Sequence, residues 1–148
     1  MLYKELKMFL AEDENKVDKT PIHSSVISSF LKQEFPDADL ELLDDYYYKT
    51  CDYKTLKRAV TMIPIKNYVY RTSVFDCDDF SLQFRALWRR MYPRFPLGRA
   101  RVKLKNGNFH DLCFAVYVTA KGSPQFTFIE PQTGKVSYFN YEPQRLEV

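Results

Sequence analysis

Glycine, cysteine, histidine and tryptophan are all scarce in this chain of 148 residues, which has four Gly, three Cys, two His and one Trp. So few glycines exclude collagen-like and glycine-rich disordered classes. Three cysteines (Cys51, Cys77, Cys113) are too few and odd in number for a disulfide framework. They read as free thiols in a reducing, cytoplasmic setting. No apolar run approaches the roughly 18 residues that cross a bilayer, so no membrane partner is expected. The opening Met1-Leu-Tyr-Lys-Glu-Leu-Lys has an acid in its first turn and no continuous apolar stretch, unlike a signal peptide. Any imidazole chemistry rests on His23 or His110.

Apolar residues make up 45% and charged residues 28%, the balance of an ordinary soluble globular protein. The length suits a single domain over residues 1–148, large enough to bury a core without staples. Aromatics are plentiful at 16%. The net charge of +3 conceals an asymmetry: acids dominate residues 1–50 and bases the rest. Ser81 to Lys105 holds eight basic residues and no acid. Either the two halves attract each other, or the basic side meets an anionic partner.

Apolar spacing predicts helices over residues 2–10, from Ser24 or Ser25 to about Phe35, over 39–48, and from an Asp52 cap to about Met62. Ala11 to Thr20 reads as a polar connection. Residues 1–60 are thus expected to be a helical N-terminal part. Residues 65–148 are expected to hold one strong helix followed by strands. In that helix Cys77, Phe80, Phe84, Leu87, Trp88 and Met91 form one stripe, behind an Asp76 cap with Asp78 and Asp79 in the first turn. Asn106-Gly107 is a strong hairpin signal, and turns at Gly122 and Gly134 separate further strands. The expected fold is α+β: N-terminal helices and a central Cys-bearing helix packed on a four-stranded antiparallel sheet.

Three residues bear chemistry. Cys77 opens a helix, where the dipole lowers a thiol pKa and free N–H groups hold an oxyanion. His110 starts a strand and Glu130 ends the next. Antiparallel pairing makes those two positions neighbours. Thiol catalysis needs such a set: nucleophile, base and orienting acid.

Phe75-Asp-Cys-Asp-Asp-Phe-Ser, His110-Asp-Leu-Cys-Phe-Ala-Val and Phe128-Ile-Glu-Pro-Gln-Thr-Gly together resemble the transglutaminase-like cysteine proteinases of bacteria and phages, in the papain-like superfamily. The resemblance covers about residues 68–139. It implies a nucleophile at Cys77, a base at His110 and an orienting acid at Glu130, with Asp78, Asp79 and Gln132 near the site. It implies a thiol-dependent acyl-transfer enzyme, whether peptidase, amidase or transglutaminase-like, acting on a peptide or protein amide without a cofactor. Asp111 after His110, and Glu rather than Asp at 130, depart from the family pattern.

Three other readings stand beside it. One is an inactive member of the same fold that binds or inhibits a partner. Another is a nucleic-acid-binding patch formed by Arg85, Arg89, Arg99 and Arg101, which lacks any recognised reader motif and is not favoured. The third, a metal site from Cys77, Asp79, His110 and Cys113, is disfavoured by strand alternation, which puts His110 and Cys113 on opposite faces. No metal is expected.

Overall fold

A computed structural model describes residue 17 and residues 19–41, 47–67, 69–72 and 76–148. The predicted helix over residues 2–10 lies outside the described residues. The element order is β1 (Thr20–His23), α1 (Ser24–Glu34), β2 (Asp39–Glu41), β3 (Tyr47–Thr50), α2 (Tyr53–Thr61), a 3-10 turn (Pro64–Asn67) and α3 (Cys77–Met91). Strands β4 (Leu97–Lys103), β5 (Phe109–Val118), β6 (Pro124–Glu130), β7 (Lys135–Ser137) and β8 (Glu142–Glu147) follow.

Two sheets form. One has two strands, β1 against β3, and the other has six in the order β2-β8-β4-β5-β6-β7. Pairing is antiparallel throughout the larger sheet except for β2, which runs parallel to β8. This corrects the expected four-stranded antiparallel sheet. It also corrects the all-helical N-terminal part, because three short strands lie between residues 20 and 50. The segment read as a helix over 39–48 begins as β2 and ends as β3. Strands of three or four residues are too short to show an alternating pattern. Long-range partners decide their state instead: β2 pairs with residues more than a hundred positions away.

Local chemistry accounts for the longer elements. Asp52 caps α2 by accepting the Thr55 N–H at 2.8 Å. His23, not a serine, caps α1, its Nδ1 accepting the Ser25 N–H at 3.0 Å. Asp79 reaches back to the Asp76 N–H at 3.1 Å and fixes the start of α3. The β4–β5 hairpin closes through Asn106, whose side chain accepts the Asn108 N–H, and Gly107 at φ 85°.

The large sheet carries a core on each face. Cys113, Ala115 and Ile129 pack with α3 (Phe80, Phe84, Trp88) and α2 (Leu56, Ala59, Val60). Leu112, Phe114, Val116, Phe126 and Phe128 pack on the other face with α1 through Ile27 and Leu31. Thr50 ties β3 to β5 by donating to the Val116 carbonyl at 2.7 Å. Among the described residues no helix is long and apolar enough to cross a membrane.

Candidate functional site

Strand alternation decides what the chemistry-bearing residues meet. In β5, Cys113 and Ala115 belong to the α3 face, and Leu112 and Phe114 to the other. Asp111 falls in step with Cys113, and His110 in step with Leu112. The contacts follow this division. Asp111 supplies a backbone hydrogen bond to the Cys77 thiol. The Cys113 thiol donates to the Ser81 carbonyl of α3 at 3.4 Å. His110 instead turns its Nε2 to Glu130 Oε2 at 2.6 Å, and its ring meets the edge of Tyr141 with centroids 6.4 Å apart.

The structure therefore brings His110 and Glu130 together, as antiparallel neighbours. Glu130 is held further by the Gln132 N–H, which donates to its Oε1 at 3.3 Å. No hydrogen bond joins Cys77 to His110 among the described residues. The surroundings of Cys77 act on its thiol in both directions. Burial pushes its pKa up, and the charges of Asp111, Asp76 and Asp78 push the same way. The Asp111 N–H hydrogen bond acts in the lowering direction and is outweighed. The helix dipole, on which the sequence reading relied, competes here with three nearby carboxylates.

The basic patch is largely neutralised from within. Glu147 of β8 lies 4.0 Å from Arg85 and 3.8 Å from Arg99, and Asp111 pairs with Arg101 at 3.2 Å. Arg85 is half-buried on α3, and burial together with neighbouring Arg89 presses its pKa down. An anionic strand would compete with these internal acids, which removes the basis of the nucleic-acid reading. Asp76, Asp78 and Asp79 gather within 4.8 Å of one another at the start of α3. Burial pushes the Cys113 thiol far up, so it is a neutral core group rather than a ligand anion.

Two cavities supply what the sequence reading missed. A pocket of about 450 Å³ opens between the end of α1, the β4–β5 turn and the start of β8. Phe35, Asp37, Lys103, Lys105, Asn140 and Tyr141 are among its lining residues. A shallower apolar recess beside it shares Leu104, Lys105, Asn140 and Tyr141 and adds Phe139. A second, polar cleft of about 260 Å³ is lined by Asp78, Arg99, Arg101, Asp111, Arg145 and Glu147. The signal for the first pocket lay in Phe139-Asn-Tyr-Glu, an aromatic and polar run past the last predicted strand. Its partners come from residues 34–38 and 103–105, and their proximity depends on the unforeseen β8.

Comparison with known proteins corrects the family expectation. No family model matches the chain, and no curated protein matches it. Among solved structures it resembles one described as the PSL1a-E64 complex, with a TM-score of 0.71 and 19% identity over 88% of this chain and 52% of the other. It also resembles the Polyporus squamosus lectin bound to the human-type influenza-binding epitope Neu5Aca2-6Galb1-4GlcNAc, with a TM-score of 0.71 and 19% identity over 88% of this chain and 50% of the other. The chain spans about half the length of those proteins. With no family model matching and a lectin among its structural neighbours, the transglutaminase-like proteinase expectation is corrected. Thiol-dependent acyl transfer and a peptide amide substrate fall with it. An inhibitor or nucleic-acid-binding role gains no support either. At 19% identity the likeness is one of fold.

Proposed function

We propose that this chain is a saccharide-binding module that takes an oligosaccharide in the pocket between the end of α1, the β4–β5 turn and the start of β8. The observation that carries this reading is the pocket's lining. Sugar recognition combines an apolar ring face with hydroxyl acceptors and donors set around it. Tyr141 and Phe35 supply the ring faces, and Asp37, Glu34, Glu142 and Asn140 supply the polar groups. Lys103 and Lys105 share the lining with the carboxylates of Glu34, Asp37 and Glu142, so the pocket has no excess positive charge and suits a neutral sugar. The volume lies within the range of small-ligand sites, about 300–1,000 Å³.

The wall of the pocket is pre-set. Tyr141 stacks on Phe139 with centroids 5.2 Å apart and meets Phe128 at 5.7 Å. The His110–Glu130 pair stands behind it, so this dyad acts as a brace for Tyr141. Burial, with help from Glu130, pushes the Tyr141 hydroxyl pKa up and keeps it protonated as a donor. An ordered aromatic wall loses little conformational freedom when a ligand docks. The fold shared with a glycan-bound lectin agrees with this reading.

Titration calorimetry with the sialylated trisaccharide and its uncharged disaccharide tests it. Saturable binding is expected, with no gain in affinity from the sialyl carboxylate. Tyr141→Ala should abolish binding of both, and Asn140→Ala should weaken both. Absence of saturable binding to either sugar, or binding untouched by both substitutions, overturns the proposal.

A further inference from the structure

The polar cleft is independent of the saccharide pocket. Its floor is a set of charged residues laid out by sheet register. Across three strands Arg145, Arg101 and Asp111 stand in one row, because Arg101 pairs with Arg145 of β8 and with Asp111 of β5. In the next row Arg99 pairs with Glu147 and with Cys113. The start of α3 closes one side: Asp78 lines the cleft, and Ser81 accepts from Arg99 Nε at 3.2 Å.

Two guanidinium groups directly opposite each other on neighbouring strands repel, so the Arg101–Arg145 pair needs an explanation. Each is anchored by acids on one edge only. Arg101 donates from Nε and Nη2 to Asp111 at 3.3 and 3.2 Å. Arg145 donates from Nη2 to Glu41 at 2.6 Å and pairs through Nε with Glu147 at 2.7 Å. The Nη1 groups of both remain uncommitted among the described residues, and both side chains are more than half exposed. The anchoring acids thus fix two donor forks whose free ends belong to adjacent positions of one cleft. Such an arrangement suits a planar carboxylate.

Charge narrows the ligand further. The three arginines are balanced by Asp78, Asp111 and Glu147, so the cleft has no excess positive charge. A phosphate dianion would lie beside three carboxylates. Asp78 alone of the three forms no ion pair among the described residues. The Asp76 side chain hydrogen-bonded to it holds its carboxyl below the usual range and keeps it ionised. The Asp78 carboxylate, which has no ion-paired cationic partner among the described residues, and the free guanidinium edges therefore face one small volume of about 260 Å³.

We infer that this cleft binds a small zwitterion of the α-amino-acid class, its carboxylate between Arg101 and Arg145 and its ammonium at Asp78. The test uses two-dimensional amide NMR of the full chain, with L-alanine, acetate, methylammonium and inorganic phosphate added separately at neutral pH. L-alanine should shift the Asp78, Arg101 and Asp111 amides saturably, with acetate at least tenfold weaker and methylammonium without effect. Asp78→Asn should bring alanine down to the acetate level. Arg145→Gln, at an exposed position, should weaken both at least tenfold while the rest of the spectrum stays folded. Saturation by phosphate at lower concentration than alanine, equal affinity for alanine and acetate, or no saturable shift overturns the assignment.

Discussion

Replacing Gly98 by alanine probes the closest approach in the large sheet. Gly98 lies in β4 between Phe114 of β5 and the last turn-free residues of β8. An added Cβ would stand 1.8 Å from the Glu147 carbonyl oxygen, 2.7 Å from its carbon and 2.9 Å from Phe114 Cε1. The first two obstacles are backbone, so no rotamer change relieves them. Overpacking costs about 1–3 kcal/mol where side chains can adjust. Here β8 itself must move away, so the cost should be at or above about 3 kcal/mol. For a chain of this size that is a fall in Tm of roughly 6–12 °C. Urea unfolding followed by Trp88 fluorescence would give the free energy. Amide exchange would show protection lost first at β8. Gly107→Ala serves as the contrast: nothing lies within 4 Å of its added Cβ, but φ is +85°. It should cost about 1–2 kcal/mol from backbone conformation alone, and Gly107→Asn less. A loss under about 1 kcal/mol for Gly98→Ala, with β8 protection unchanged, would refute the reasoning.

Three further outcomes are expected. Asp52→Ala should cost about 0.5–2 kcal/mol by removing the α2 cap. The Thr55 N–H hydrogen bond lowers the Asp52 pKa, so this contribution is present above the unfolded carboxyl value and vanishes as pH falls through the folded one. A urea titration between pH 7 and 2 on both proteins would show the difference closing. Trp88→Phe should change stability by no more than about 1.5 kcal/mol, because the buried Trp88 Nε1 finds no hydrogen-bond partner among the described residues. The packing that is lost is offset by relief of a desolvated donor worth about 1–3 kcal/mol. Thermal unfolding reads it, and a loss above about 3 kcal/mol contradicts it. Stability should also fall as pH rises above about 8.5, since burial raises Cys77, Cys113, Tyr117 and Tyr141 in the folded state. The folded chain then binds more protons than the unfolded one, and each pH step favours unfolding. A midpoint independent of pH between 8 and 10.5 would contradict this.

The sequence revealed elements whose pattern is local and long. The α3 stripe from Phe80 to Trp88, the Asp52 cap and the Asn106-Gly107 turn all lie where spacing and turn chemistry put them. Adjacency of His110 and Glu130 was legible too, because a single hairpin carries both. Hidden were the partners that come from far along the chain. Nothing in Asp39-Leu-Glu announces a strand whose mate is Arg145-Leu-Glu. How Cys77 stands to the His110–Glu130 pair was hidden for the same reason. Periodicity placed each residue on its own element, and the face of β5 that meets α3 was the missing datum. Once α3 sits on the Cys113 face, the Asp111 backbone adjoins the thiol. Both cavities combine segments brought together by β8, so neither was visible before the sheet order was known.

The position of β8 between β2 and β4 has a consequence for how the chain reaches its folded state. Residues 142–147 are the last of the described strands to leave the ribosome, yet they occupy an interior lane of the sheet. Until they arrive, β4 presents an unpaired edge and β2 has no mate. Such an edge invites pairing with another chain. Long-range closure of this kind is slow compared with hairpin formation. The β4–β5–β6 hairpins should therefore form early and wait, and the interval before β8 inserts is when the nascent protein is most exposed to aggregation.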